Sequence, residues 1–399
     1  MKMKKFIIIL TVLIAMTITT NAQWQQTSLD TIDVHCLAIS GSNIFAGTYN
    51  GCVYLSTNNG TSWTQVNAGL TDIWSFAISG SNIFAGTDDG VFLSTNNGSS
   101  WTAVNNGIPA YTQVNSFVIS GANIFAGSDA SYSANDGVFL STNNGSSWTA
   151  VNTGLTNTYV QSLALSGTNI FAGTTSGVFL STNNGGSWSY VSNGLSTSSP
   201  AIWALATSGN NIYAGTNGAG VYLSTNNGGS WIATNGGGTI ISLLTSGSLV
   251  FVGTYNTVLL SNNTGGSWTD ISTGGFGSLP NGFVGSLAID GTYLFAGTSG
   301  NGVWKRPLSQ INGIEEINQN NNITLYPNPA SDIVTLNISN LNNNNGEINI
   351  YNVIGVLVRS EILKQNHQLI NIDDLSNGIY MLTIKSKDYN ATQKLLIQR

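Results

Sequence analysis

Between Gln23 and Trp304 the chain has no lysine, no arginine and no glutamate, and nine aspartates are the only charged side chains there. Without a basic footprint the chain cannot match a phosphate backbone, so nucleic acid is excluded as a partner. Histidine is almost as scarce. His35 is the only one before residue 305, so Ser/His/Asp catalysis would have to rest on it alone, and a lone strand histidine reads first as a polar residue at a channel mouth. Long apolar runs are missing too. The one candidate, Phe6 to about Met16, is short for a membrane span, follows three lysines and precedes Thr20-Asn21-Ala22. It reads as a secretory signal peptide over residues 1–22, with no transmembrane anchor in the mature chain. The rest of the charge lies in Lys305 to Arg399, where eight basic residues balance eight acidic ones.

What the chain does have is repetition. The phrase that contains Ile44-Phe45-Ala46-Gly47-Thr48 recurs with glycines at 86, 127, 173, 215, 253 and 297, a period of about 42 residues. A second phrase, Ser-Thr-Asn-Asn-Gly-x-Ser-Trp, closes on Trp63, Trp101, Trp148, Trp188, Trp231 and Trp268. Each repeat holds four short apolar runs separated by Gly, Asn and Asp, the residues that tight hairpins tolerate. That pattern and period predict one propeller blade per repeat. The seventh repeat stops after Gly302-Val303-Trp304 without a fourth strand. Trp24 precedes Ile39 by fifteen residues, the same spacing as Trp63 to Ile78. Trp24-Gln25-Gln26-Thr27 is therefore expected to supply the missing outer strand, which closes the ring and removes a sheet edge. The fold expected is all-β: a seven-bladed β-propeller over 23–306, a linker over 307–322 and a small β-sandwich over 323–399.

The first repeat also carries both cysteines, Cys36 on the expected first strand and Cys52 on the third. Two strand spacings are roughly 9–10 Å, beyond the Cα separation of about 7 Å that a disulfide allows. They read as two unpaired small residues, or as a disulfide if a loop distorts the blade.

The tryptophan phrase resembles the Asp-box, or bacterial neuraminidase repeat, with Asn58, Asn96, Asn143, Asn183, Asn226 and Asn263 in place of the Asp and Ser in place of the Thr. The resemblance implies a structural turn in which a short polar side chain bonds the backbone and the Trp packs on the sheet. Sialidases with this box need an arginine cluster, and no arginine precedes Arg306. A bidentate clamp for the substrate carboxylate is therefore absent. Asp-box endoglucanases use two carboxylates, which leaves a glycoside hydrolase built on paired Asp residues open.

After the repeats come Tyr326-Pro327-Asn328-Pro329, then Ile350-Tyr351-Asn352-Val353-Ile354-Gly355, then Asn377-Gly378-Ile379-Tyr380, and finally Lys394-Leu395-Leu396-Ile397. This ordered set resembles the type A C-terminal sorting domain of type IX secretion, the Por system. Tyr326, Pro327, Asn328, Pro329, Gly355, Gly378, Tyr380 and Lys394 mark its motifs. The resemblance implies handling by the type IX machinery after Sec export in a Bacteroidota-type bacterium, and release or attachment at the outer-membrane surface.

Function is expected where the repeat fails. One inner-strand position reads His35, Trp74, Asn115, Gln161, Trp203, Ile241 and Gly285, while its neighbour stays small throughout. If packing alone set the first position, it would repeat as its neighbour does. His35, Trp74, Asn115, Gln161 and Trp203 are therefore candidate ligand-binding residues, suited to stacking on sugar rings and bonding hydroxyls. The plain alternative is that they only fill the channel. Seven of the nine propeller aspartates, among them Asp88, Asp89, Asp129 and Asp136, map to the loop face of the first three blades. They read as solvated acids, as weak candidates for calcium, or as a surface for a basic partner. No other cofactor is expected. The function expected is a secreted or surface-displayed binding protein for a glycan or a protein. A structural role, by analogy with Asp-box propellers that assist photosystem assembly, is the alternative.

Overall fold

The computed structural model describes residues 24–67, 69–129, 136–272, 282–311, 323–338, 346–352, 357–376, 378–386 and 390–398. The expected signal peptide, most of the expected linker, the tip of the third-repeat loop and Gly355 lie outside them. The chain divides into two compact units, residues 1–311 and 312–399.

Among the described residues, the first unit contains seven four-stranded antiparallel sheets. The second repeat illustrates one: Ile73–Ser79, Asn82–Thr87, Gly90–Ser94 and Thr102–Ala103, hydrogen-bonded in chain order. The first strands of successive sheets contact one another around a complete circuit, from Val34–Ser40 to Val284–Ile289 and back. This is the ring of sheets of a β-propeller. The last sheet is made of Val284–Ile289, Tyr293–Thr298 and Gly302–Pro307 plus Gln25–Gln26 from the other end of the chain. Gln25 pairs with Lys305 and Gln26 with Trp304, so this N-terminal strand does complete that sheet.

The repeated glycine has a packing reason rather than a turn reason. A Cβ on Gly86 would lie 2.4 Å from the Val114 carbonyl oxygen, and one on Gly173 would lie 2.8 Å from the Ile202 side chain. Val114 and Ile202 belong to the first strand of the following sheet. Only glycine lets neighbouring sheets approach this closely.

In the tryptophan turn, Ser56 Oγ accepts from Gly60 N at 2.9 Å and donates to Asn58 Oδ1 at 3.0 Å. Asn58 Oδ1 also accepts from Ser62 N, and Asn58 Nδ2 donates to Ser62 Oγ, both at 2.9 Å. The same network recurs around Asn96, Asn143, Asn183, Asn226 and Asn263. An amide at this position can donate to the serine hydroxyl as well as accept, so Asn and Ser make a self-consistent pair.

The tryptophans do more than pack on their own sheet. Trp148, Trp188, Trp231 and Trp268 each donate Nε1–H to a backbone carbonyl just past the outer strand of the preceding sheet, at Val104, Val151, Val191 and Thr234. Trp24 does the same to Ile271, and Trp63 donates to Thr27 Oγ1. Trp101 instead bonds Gly98 O in its own turn. The box therefore clips neighbouring sheets together, an arrangement invisible within a single repeat.

Cys36 and Cys52 are unpaired. Cys36 is packed under the next sheet, with its thiol 3.6 Å from the Ile73 carbonyl, and burial holds that thiol far from ionisation.

The second unit is built from a three-stranded sheet (Ile323–Tyr326, Ile333–Ile338, His367–Asn371) and a four-stranded sheet (Leu357–Leu363, Gly346–Asn352, Gly378–Ser386, Asn390–Ile397). Val334, Leu336, Ile348, Ile350, Ile370, Leu382, Ile384 and Leu395 share one buried core. Asn328 Oδ1 accepts from Leu396 N at 2.8 Å, and the buried Tyr380 donates to Ser376 O at 2.9 Å. Tyr326 is half exposed, with its hydroxyl 3.2 Å from His367 Nε2. Gly378 pairs with Ile397 and Lys394 with Met381.

Candidate functional site

The variable inner-strand position has a structural cause. In six sheets the pairing of the first two strands slips at that residue, between Val34 and Cys36, Ile73 and Ser75, Val114 and Ser116, Val160 and Ser162, Ile202 and Ala204, and Val284 and Ser286. His35, Trp74, Asn115, Gln161, Trp203 and Gly285 are thus the extra residues of β-bulges. A bulge frees its residue from the ladder and re-aims its side chain, so no cross-strand partner dictates what stands there.

The bulges bring these residues together. His35, Trp74, Asn115, Gln161 and Trp203 line one cavity of about 250 Å³, joined by Ile241, Gly285, Gln113 and Phe283. The last two were not among the expected residues. They stand two positions before Asn115 and Gly285, on the same strand face. That upstream register also varies, as Asp33, Asp72, Gln113, Tyr159, Ala201, Thr239 and Phe283, so the same test applied two residues earlier finds them.

Polar contacts hold the lining in place. Gln113 Nε2 donates to Asn115 Oδ1 at 2.9 Å, Asn115 Nδ2 donates to Val160 O at 3.1 Å, and Gln161 Nε2 donates to Asp129 Oδ2 at 3.2 Å. Trp74 Nε1 donates to Asp88 Oδ1 at 2.7 Å. The His35 ring lies 4.5 Å from that of Trp74 and 5.4 Å from that of Tyr49. Burial lowers the His35 pKa against the opposing pull of Asp33 and Asp88, which favours a neutral imidazole in the cavity.

Of the four weak metal candidates only Asp88 and Asp89 come together. Asp88 is engaged by Trp74, Asp129 by Gln161, and the buried Asp136 accepts from Thr112 Oγ1 at 2.9 Å. Asp89 lines a neighbouring cavity with Asp72 and Asp88. Among the described residues, no group of three or more His, Cys, Asp or Glu is placed to hold a metal ion.

The loop face also carries exposed tyrosines: Tyr49, Tyr111, Tyr159 and Tyr255 are 54%, 71%, 41% and 53% exposed. Rigid amphipathic rings among Ser, Asn and Gly make up the composition of recognition surfaces.

The fold and site together define an all-β propeller protein joined to a separate β-sandwich unit. Residues 324–398 match the secretion system C-terminal sorting domain. That match marks the chain for type IX export to the cell surface or the extracellular space. Comparison with curated protein sequences finds no match. Among solved structures, the chain is similar to PorZ, a surface component of the type IX secretion system of Porphyromonas gingivalis, with a TM-score of 0.54 and 15% identity. The similarity spans 94% of this chain and 61% of that one. YCF48 from Cyanidioschyzon merolae gives 0.53 at 14% identity, over 72% of this chain and 98% of its own. The GH74 xyloglucanase of Xanthomonas campestris gives 0.57 at 13% identity, over 94% and 68%. At such identities the likeness is one of fold, and the fold hosts both enzymes and non-enzymes. Among the described residues no helix is long and apolar enough to cross a membrane.

Proposed function

We propose that this is a secreted or cell-surface binding protein, a seven-bladed Asp-box propeller whose loop face takes a glycan or a protein. In this reading residues 1–22 are a Sec signal peptide, 23–306 the propeller, 307–322 a linker and 323–399 the type IX sorting domain of a Bacteroidota-type protein. The supporting observation is the cavity that gathers His35, Trp74, Asn115, Gln161 and Trp203 at the bulges. Aromatic faces with a few fixed amides are the composition of a site that orients a polar ligand by its rings and hydroxyls. The test is a glycan array on the full chain, repeated with the Trp74→Ala plus Trp203→Ala double variant. Binding that disappears in the double variant supports the pocket, and a ligand bound equally well by both proteins sinks it. No cofactor enters this reading, so the melting temperature is expected to be the same in chelator and in millimolar calcium.

One observation favours a second reading. Asp72, Asp88 and Asp89 line one cavity, the Asp72 carboxyl is held above its ordinary value by burial and by Asp88, and paired carboxyl groups are what glycoside hydrolysis requires. Reducing ends released from β-glucans by the native chain but not by Asp72→Asn would replace the binding reading with a hydrolytic one.

A further inference from the structure

A second cavity, of about 440 Å³, opens beside the first and shares Trp74 and Gln113 with it. Three rings line it, those of Tyr49, Trp74 and Tyr111, together with the carboxylates of Asp72, Asp88 and Asp89. Carboxylates alone would make a solvated patch. Here they line one open cavity with aromatic rings that no packing requirement explains, since Tyr49 and Tyr111 are 54% and 71% exposed. The Trp74 ring is set between the His35 imidazole, 4.5 Å away, and Asp88, which accepts its indole N–H. Ring faces and carboxylates attract the same species, a compact organic cation. Nothing internal competes for it, because no lysine or arginine lies between Gln23 and Trp304. An anionic ligand would meet three uncompensated carboxylates here.

We infer that this cavity is a cation-selecting subsite, and that with the adjoining pocket it takes a glycan bearing a free amine. The ammonium group enters between the Tyr49, Trp74 and Tyr111 rings and the carboxylates. The neighbouring sugar lies toward Trp74 and Gln113, which both cavities share, with its hydroxyls near Asn115 and Gln161. The inference rests on the glycan-binding reading of the first pocket and narrows it to one charge class.

The experiment titrates the full chain with a chitosan oligosaccharide, which carries free amines, and with its N-acetylated counterpart of equal length. A lysine-rich peptide serves as the third ligand. Chitosan is expected to bind at least about tenfold more tightly than the acetylated form, since acetylation removes the charge that both the ring faces and the carboxylates attract. Asp72→Asn combined with Asp88→Asn should abolish that preference while the chain remains folded, as a cooperative thermal transition shows. Both substitutions are isosteric, and an asparagine at 88 still offers an oxygen to the Trp74 indole. Equal binding of the two oligosaccharides would overturn the cation subsite while leaving the glycan reading intact. A lysine peptide bound as tightly, with the same Asp dependence, would overturn the glycan class. No binding of either oligosaccharide overturns the inference. The array then decides the underlying reading separately, since other glycans lost in the double tryptophan variant would still support it.

Discussion

The inter-sheet tryptophan bonds make a quantitative prediction through the pair Trp188→Phe and Trp101→Phe. Trp188 is 4% exposed and donates to Val151 O of the preceding sheet at 2.6 Å. Phenylalanine keeps most of the ring but removes the donor and leaves that carbonyl without it. A buried acceptor stripped of its partner costs about 1–3 kcal/mol, and the lost ring atoms add about 1 kcal/mol of apolar burial. The expected destabilisation is therefore about 2–4 kcal/mol. Trp101 loses the same atoms in the same substitution, but it is half-buried and its bond to Gly98 O closes its own turn. About 1 kcal/mol or less is expected there. Thermal unfolding of the full chain should show a drop of several degrees for Trp188→Phe, at roughly 2–4 °C per kcal/mol for a domain of this size range, and a much smaller drop for Trp101→Phe. Equal losses in the two variants would refute the claim that the bond between sheets, rather than the buried ring, is what stabilises.

The left-handed residue of the tryptophan turn is Asn in five copies, Asn59, Asn97, Asn144, Asn184 and Asn227, but Thr264 in the sixth, at φ 57°. A β-branched residue is strained there, so Thr264→Asn should raise stability by about 1 kcal/mol, read as a higher melting temperature. Gly86→Ala would place a methyl 2.4 Å from the Val114 carbonyl and should cost about 3 kcal/mol or more by forcing two sheets apart. Gly80→Ala has open space around it but a φ of 60°, so only about 1 kcal/mol of loss is expected from its strained backbone. His35 titrates below its ordinary value of 6.5 in the folded chain because burial outweighs Asp33 and Asp88. The unfolded chain therefore binds the proton first, and this contribution to stability is full above pH 6.5 and declines as pH falls through 6.5 toward the folded value. His35→Gln should flatten that part of the stability–pH profile measured by denaturant unfolding.

The fold was legible because one repeat states four strands and their turns, and six more copies remove the ambiguity of any single run. The closing strand was legible from spacing alone, since Trp24 stands where a repeat tryptophan would. What one repeat cannot state is any contact between repeats. The tryptophan indoles looked like cover for their own sheet, yet all but Trp101 reach the preceding one. The role of the repeated glycine is hidden for the same reason, because the atom it makes room for, such as Val114 O, is about 30 residues away in the sequence. The site was partly legible. Variation from copy to copy marks the bulge residues, and the register two residues upstream, where Gln113 and Phe283 stand, varies in the same way.

The bulge position distinguishes the two uses this chain makes of tryptophan. In the scaffold six of the seven indoles donate to a neighbouring sheet, five of them to a backbone carbonyl present whatever the side chain, and such bonds survive sequence drift in the neighbour. Trp74 instead donates to the carboxylate of Asp88, at a register position that is aspartate only in this copy and, as Asp129, in the next. A charged acceptor binds an N–H more strongly than a neutral one and fixes the indole orientation where no ladder bond does. The ring so fixed forms a wall of both cavities. Any half-buried indole N–H needs an acceptor, whatever its ring does, and most of the scaffold tryptophans find theirs on the backbone. That Trp74 takes a charged side chain instead, in a propeller with so few charges, is the observation that most favours a ligand at the non-repeating residues.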